Sequence, residues 1–119
     1  MPTESIAELE WLEHWYRDRC DGTWEHGKGL SIESIDNPGW WVKINIDKER
    51  IDVRQDVVLA VSGDPPSVEN GYVGGLDWMI CQIKGGRFDG AGDPGKLRKI
   101  VQCFREMVVE RERGTKPGT

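Results

Sequence analysis

The stretch LSIESIDNPGWWVKINI, residues 30–46, is typical of an antiparallel β-hairpin. Alternation in its second half predicts two faces, one with Trp40, Val42, Ile44 and Ile46 and the other with Trp41, Lys43 and Asn45. Between the halves, Pro38 restrains Asn37 and Gly39 tolerates a positive φ, as a tight turn requires. Trp40 and Trp41 cannot both face one interior, so we expect one of them on the opposite face, under a loop or at an interface.

A helix is predicted at each end of the chain. Residues 4–20 have an apolar stripe at helical spacing, formed by Ile6, Leu9, Leu12, Trp15 and Tyr16. The pair Asp21-Gly22 should end this helix, because glycine adopts the left-handed cap conformation. The second helix should begin at Asp93-Pro94, with aspartate as N-cap, and stop at Gly114. Its predicted buried stripe is Leu97, Ile100, Val101, Phe104 and Val108.

Further strands are predicted between the helices. Residues 50–61 should give one or two strands, 76–83 another, and 87–91 a short return strand after a turn at 84–86. Residues 62–75 are rich in glycine and proline and predict a long loop. The order predicts an α+β fold, an antiparallel sheet of about four to six strands with the N-terminal and C-terminal helices packed on one face. We expect a single domain over 1–113 and a frayed tail over 114–119.

Charge and cysteine content narrow the class of protein. The chain has 119 residues, a net charge of −5 and a pI of about 5.0. A net negative charge argues against nucleic acid as a partner and is compatible with a basic protein partner. Cys20, Cys81 and Cys103 are odd in number and form no CxxC pair, which favours a reducing compartment. There is no signal-peptide pattern and no apolar run of ~20 residues, so we expect a cytoplasmic protein without membrane contact.

Patterns that could carry chemistry are weak. Potential metal ligands cluster in sequence at His14, Cys20, Asp21, Glu25 and His26. The chain lacks HExxH and paired-cysteine patterns, so we expect no metal site and no cofactor. Glu25 and His26 are neighbours and would point apart on an extended chain, which disfavours an acid–base pair. Cys20 is predicted to be a buried structural cysteine, because a helix C-terminus disfavours a thiolate.

The glycine-rich run at residues 85–95 invites a phosphate-loop interpretation. It lacks the spacing GxxxxGK[ST], and Asp93 and Pro94 occupy the helix start where phosphate needs free N–H groups. A capped turn is therefore the better prediction.

Tryptophan is abundant, with six residues at Trp11, Trp15, Trp24, Trp40, Trp41 and Trp78. Most should be core, because each indole buries a large apolar area. Tryptophan is also favoured at binding hot spots, so the outward member of the Trp40–Trp41 pair indicates a partner surface. The alternative is a tryptophan covered by a loop of its own chain.

Several short motifs follow one another and cover most of the chain. They are Trp15-Tyr16, Cys20-Asp21-Gly22, Trp24-Glu25-His26-Gly27, Asp36-Asn37-Pro38-Gly39-Trp40, Asp77-Trp78 and Phe88-Asp89-Gly90-Ala91-Gly92. In these features the chain resembles the immunity protein 53 family of bacterial polymorphic toxin systems. Residues 47–75 do not match in detail and form a longer segment here. The resemblance implies a cytoplasmic protein that binds and neutralises a cognate toxin, and it implies no catalysis.

The binding candidates are Trp24, Glu25, His26, Asp36, Trp41, Asp77 and Trp78. We expect Glu25 and His26 to brace the corner after the first helix by hydrogen bonds, with Trp24 and Trp40 packed beneath. The toxin would be basic, because the chain is acidic.

Two alternatives remain open. One is a small enzyme or ligand-binding module with a pocket around Trp24, Glu25, His26, Asp36 and Trp78. The other is a scaffold role with self-association through Trp41. The sequence leaves the oligomeric state open.

Overall fold

A computed structural model describes residues 3–27, 29–36, 38–46, 56–66 and 75–114. The helices are α1 (Thr3–Arg19) and α2 (Leu97–Gly114), and a short 3-10 turn spans Glu25–Gly27. The strands are β1 (Leu30–Ile35), β2 (Gly39–Asn45), β3 (Val57–Gly63), β4 (Trp78–Lys84) and β5 (Arg87–Gly92). Neither helix, over the residues described, has the length and apolar content to span a bilayer.

The strands form one antiparallel sheet of five, in the order β1-β2-β5-β4-β3. Strands β1 and β2 form one hairpin, and β4 and β5 form another. Pairing of β2 with β5 joins the two hairpins. The strands predicted at 30–35, 40–46, 76–83 and 87–91 are confirmed within two residues at each end. Residues 50–55 and the turn residue Asn37 lie outside the described part of the chain.

Both helices lie on one face of this sheet, as predicted. Helix α2 packs against β4 and β5, and α1 packs against α2. One buried apolar cluster joins the layers, and its strand members alternate so that they share a face. From the strands it takes Val42, Ile44, Cys81, Ile83 and Phe88, and from the helices Leu12, Trp15, Ile100, Phe104 and Val108. The α+β fold is therefore confirmed.

The glycine-rich run serves helix packing. Gly90 and Gly92 lie in β5 on the face that carries Phe88, beneath α2. A Cβ atom on Gly90 would lie 2.6 Å from Cγ2 of Ile100, closer than real Cβ contacts allow. The absence of side chains here lets α2 approach β5 closely, which is a structural reason for glycine at these two positions.

The predicted stripe of α1 is wrong at two positions. Leu12 and Trp15 are buried, but Leu9 is 59% exposed and Tyr16 is 40% exposed. Because α1 packs mainly on α2, its buried side is rotated toward Glu8 and Trp11. Glu8 lies 3.5 Å from Nη1 of Arg105, and the Trp11 ring meets the edge of Phe104 at 5.8 Å between centroids. The side chain of Ile6 lies outside the described part.

The boundaries and caps also differ in places. Gly22 has a φ of 89°, as expected after α1, and α2 ends at Gly114 as predicted. Helix α2 begins at Leu97 and not at Asp93, because the Asp93 carboxylate closes a turn by accepting the N–H of Gly95 at 2.8 Å.

Two other expectations need correction. Cys20 is exposed and not buried, and its thiol donates to the carbonyl of Tyr16 at 3.3 Å. The predicted loop at 62–75 starts two residues later than expected, since β3 continues to Gly63. Residues 67–74 of that segment lie outside the described part.

Candidate protein-binding face of the sheet

The face of the sheet turned away from the helices carries an apolar row across four strands. In register, Trp41 pairs with Ala91, Ala91 with Ile80, and Ile80 with Val61. Trp41, Ala91 and Ile80 are half-buried, and Val61 is 54% exposed. Residues directly opposite on adjacent antiparallel strands have neighbouring side chains. We call these four residues the Trp41 row.

Polar groups hold the indole of Trp41 in place. Its Nε1 donates to Oδ1 of Asp89 at 2.9 Å, and the ammonium of Lys43 lies 4.3 Å from its ring centroid. Nζ of Lys43 is also 2.8 Å from a carboxylate oxygen of Glu33, and Asp89 is 3.6 Å from Nη2 of Arg87. The ring is therefore fixed by a hydrogen bond at its edge and a cation over its face.

This arrangement has the composition of a protein-binding surface. A half-buried tryptophan with apolar neighbours is bordered by charged side chains, as at the centre and rim of protein–protein interfaces. In the described part of the chain, both helices lie on the other face, so the Trp41 row faces outward. Over the same residues, no group of three or more His, Cys, Asp or Glu is placed to hold a metal ion.

Three other sequence candidates lie at the corner after α1. The Glu25 carboxylate accepts the N–H groups of Asp21 at 3.0 Å and Gly22 at 2.8 Å. Backbone donors, that of Glu25 itself foremost, hold the pKa of this carboxyl below its ordinary value. Trp24 is buried and donates from Nε1 to the carbonyl of Asn45 at 2.9 Å. Glu25 therefore braces the corner with Trp24 beneath it, as expected.

The expected roles of His26 and Trp40 at this corner are wrong. The His26 side chain is exposed, and its backbone N–H, not its ring, bonds to Thr23 at 3.2 Å. Trp40 lies at the other end of the sheet, where Nε1 donates to the carbonyl of Pro94 at 2.9 Å. Glu25 shares the bracing with Asp21, whose Oδ1 accepts the N–H groups of Thr23 and Trp24, each at 2.9 Å.

A second polar corner joins the start of β4 to the start of α2. Lys96 bonds to Asp77 and, at 2.6 Å, to Asp93. Oδ2 of Asp93 also accepts the N–H of Trp78 at 2.9 Å. The hydrogen bond from Lys96, followed by that from the Trp78 amide, lowers the pKa of Asp93 to about 2. Trp78 is buried, at 2% exposure, and Asp77 is exposed.

The structure does not bring the seven predicted binding residues together. Trp24, Glu25 and His26 lie at the Asn45 end of β2, whereas Asp77 and Trp78 lie near Asp93, at its Gly39 end. Asp36 is exposed in the turn between β1 and β2, and Trp41 stands on the outward face. The pocket suggested around Trp24, Glu25, His26, Asp36 and Trp78 is not formed. The first three residues lie at one end of the sheet and the last two lie at the other end.

Sequence reasoning missed most partners of Trp41. Alternation placed Lys43 on the same face, but Asp89 is 48 positions away along the chain. Ala91, Ile80 and Val61 join the row only through the pairing of β2 with β5 and of β4 with β3. The alternation within each strand was visible in the sequence, while the register between distant strands was not.

Comparison with known proteins gives one match. The family model for immunity protein 53 matches residues 9–109, which include every described strand and most of both helices. No curated protein and no solved structure matches the chain. The matched range covers most of the sequence and includes the motifs around Trp24, Trp40 and Phe88. The chain therefore belongs to the immunity protein 53 family.

Proposed function

We propose that this chain binds a cognate toxin and neutralises it by protein–protein contact through the outward face of the sheet. Membership of an immunity family supports a protective role. The observation that carries the surface assignment is the Trp41 row, with its indole held by Asp89 and Lys43. The immunity protein need not catalyse any reaction. A bound toxin can be inactive because the immunity protein covers its active site or blocks the path of its substrate.

The fixed indole suits tight binding. An interface that must first order a large side chain loses about 0.5–1.5 kcal/mol for each such side chain. The hydrogen bond to Asp89 and the Lys43 cation restrict Trp41 before any partner arrives. The polar groups beside it, Glu33 and Arg87, can form the rim that excludes water from the centre.

The charge of the chain supports a basic toxin as partner. The net charge is −5 over 119 residues. Opposite net charges accelerate encounter and disfavour acidic competitors. A toxin that acts inside the producing cell would meet this protein in the cytoplasm, which is where we place the complex.

Truncation of Trp41 tests the proposal. The chain is co-expressed with the product of the neighbouring gene, and the complex is purified and titrated by calorimetry. Trp41→Ala should weaken binding by about 30-fold or more, which is about 2 kcal/mol, because a central tryptophan contact is lost. Leu9→Ala is the matched control, since Leu9 is an exposed apolar residue on α1, away from the sheet face.

Folding of each variant is checked by thermal unfolding of the free chain. Equal affinity of Trp41→Ala and the parent chain would place the interface elsewhere. Absence of any complex with the neighbouring gene product would count against the toxin-binding function itself.

A further inference from the structure

Strand β3 ends the sheet with an uncharged apolar edge. In the described part of the chain it pairs with β4 on one side only. Its sequence, VVLAVSG, has no charged residue, and Val57, Val58 and Val61 are 44%, 55% and 54% exposed. An edge strand of this kind presents unpaired backbone N–H and C=O groups to another strand. The opposite edge, β1, carries Glu33 in mid-strand.

A groove runs beside β3 on the helix side of the sheet. It has a volume of about 570 Å³ and lies between β3, β4 and α2. Half-buried or buried Leu59, Met79 and Met107 line it, together with exposed Lys99, Glu106 and Glu110 from α2. A strand added to β3 would direct alternate side chains into this groove and the others toward Val61, at the end of the Trp41 row.

Charge at the ends of β3 selects the kind of strand that fits. Exposed Asp56 precedes the strand and exposed Asp64 follows it. Two copies of β3 paired antiparallel over their full length would bring Asp56 of each copy against Asp64 of the other. Like charges directly opposite are destabilising, so pairing with a second copy is disfavoured. A segment with basic residues at both ends and apolar residues between them is complementary.

Resting on the function proposed above, we infer that the toxin supplies an extended segment that pairs with β3 as a sixth strand. Its apolar side chains enter the groove beside Leu59 and Met107, and its basic ends lie near Asp56 and Asp64. Backbone hydrogen bonds would give such a segment affinity, and the groove and the two carboxylates would give selectivity. The toxin would then cover the Trp41 row and the adjoining sheet edge together.

Amide hydrogen exchange on the full-length chain, free and in complex with the neighbouring gene product, tests this inference. Exchange in residues 57–63 should slow by about tenfold or more in the complex, because edge amides become hydrogen-bonded to the added strand. Helix α1, which packs on α2 away from the outward face, is the internal control, and its amides should exchange at similar rates in both states. A complex that forms without slower exchange in β3 overturns the inference and leaves the proposed function standing. Failure to form a complex removes both.

A charge variant gives an independent readout. Asp56→Asn removes one carboxylate and keeps a side-chain oxygen for the hydrogen bond from Gly85, which is 3.0 Å long. It should weaken the complex by about three- to tenfold. Asp18→Asn, an exposed site on α1, removes the same charge away from β3 and should change affinity less than twofold, within about the error of the titration. Equal losses from the two variants, or a dimer of the free chain through β3 in sedimentation, would contradict the inference.

Discussion

Gly90 sets how closely α2 can approach the sheet. A methyl group there would lie 2.6 Å from Ile100 and 2.9 Å from the ring of Phe88. Both neighbours are fully buried, so neither can move into solvent to make room. At this position the sequence favours the smallest residue because of packing, and not because of the backbone angle.

Gly90→Ala should therefore destabilise the chain by about 1–3 kcal/mol, as expected for overpacking of a dense core. Urea unfolding followed by tryptophan fluorescence measures the change. Gly95→Ala is the matched control, because a Cβ there meets only Asp93 Oδ1, at 3.4 Å. A Gly90→Ala variant as stable as the parent chain would show that α2 can shift away from β5 freely.

At the scale of elements, one carboxylate links three parts of the fold. Asp93 follows β5, accepts the N–H of Trp78 at the start of β4, and pairs with Lys96 just before α2. It is 7% exposed, so its charge depends on these partners and not on water. The pairing lowers the pKa of Asp93 to about 2, below its ordinary value of 3.8.

This shift predicts how stability changes with acid. The folded chain holds the Asp93 proton less tightly than the unfolded chain, so ionised Asp93 stabilises the fold fully above about pH 4. That contribution, at most about 2 kcal/mol, is lost as the pH falls from about 4 to about 2. Asp93→Asn should be less stable than the parent at pH 7, and the gap measured by urea unfolding should narrow toward pH 2. A gap that is constant with pH would contradict the assignment.

The elements themselves could be predicted from local pattern, but their contacts could not. Alternation at residues 40–46 placed Val42 and Ile44 on one face and Trp41 on the other, because a strand in a sheet has two faces, and the structure shows that the first face is the core. The buried stripe predicted for α1 was partly wrong. Glu8, a buried carboxylate, lies on the side that packs against α2, and Leu9 does not. The partner of Glu8 is Arg105 on α2, almost the whole chain away, and no local pattern indicates such a pair. Asp89 beneath Trp41 was missed for the same reason.

For the whole molecule, the net negative charge affects the rate at which the chain meets a partner more than it affects folding. A charge of −5 on a small chain gives a long-range field that salt screens. The Debye length is about 10 Å at 0.1 M salt, so attraction between the free partners weakens strongly above that concentration. In the proposed complex, contacts buried around Trp41 would be screened much less.

Association with a basic toxin should therefore slow by about tenfold between ~0.05 M and ~0.5 M salt, while dissociation changes little. Stopped-flow mixing measures the two rates separately. An uncharged solute at the same viscosity is the control for slower diffusion. An association rate that does not depend on salt would argue against a basic partner.

Outward-facing and core-facing residues alternate along each strand. In β2, β4 and β5 every second residue belongs to the face with Trp41, and the residues between them fill the core below α2. A substitution such as Ile80→Val or Ala91→Ser changes the proposed binding surface and leaves the volume of the core untouched. On the proposed function, partner specificity can therefore change by single substitutions on this surface while the fold stays intact.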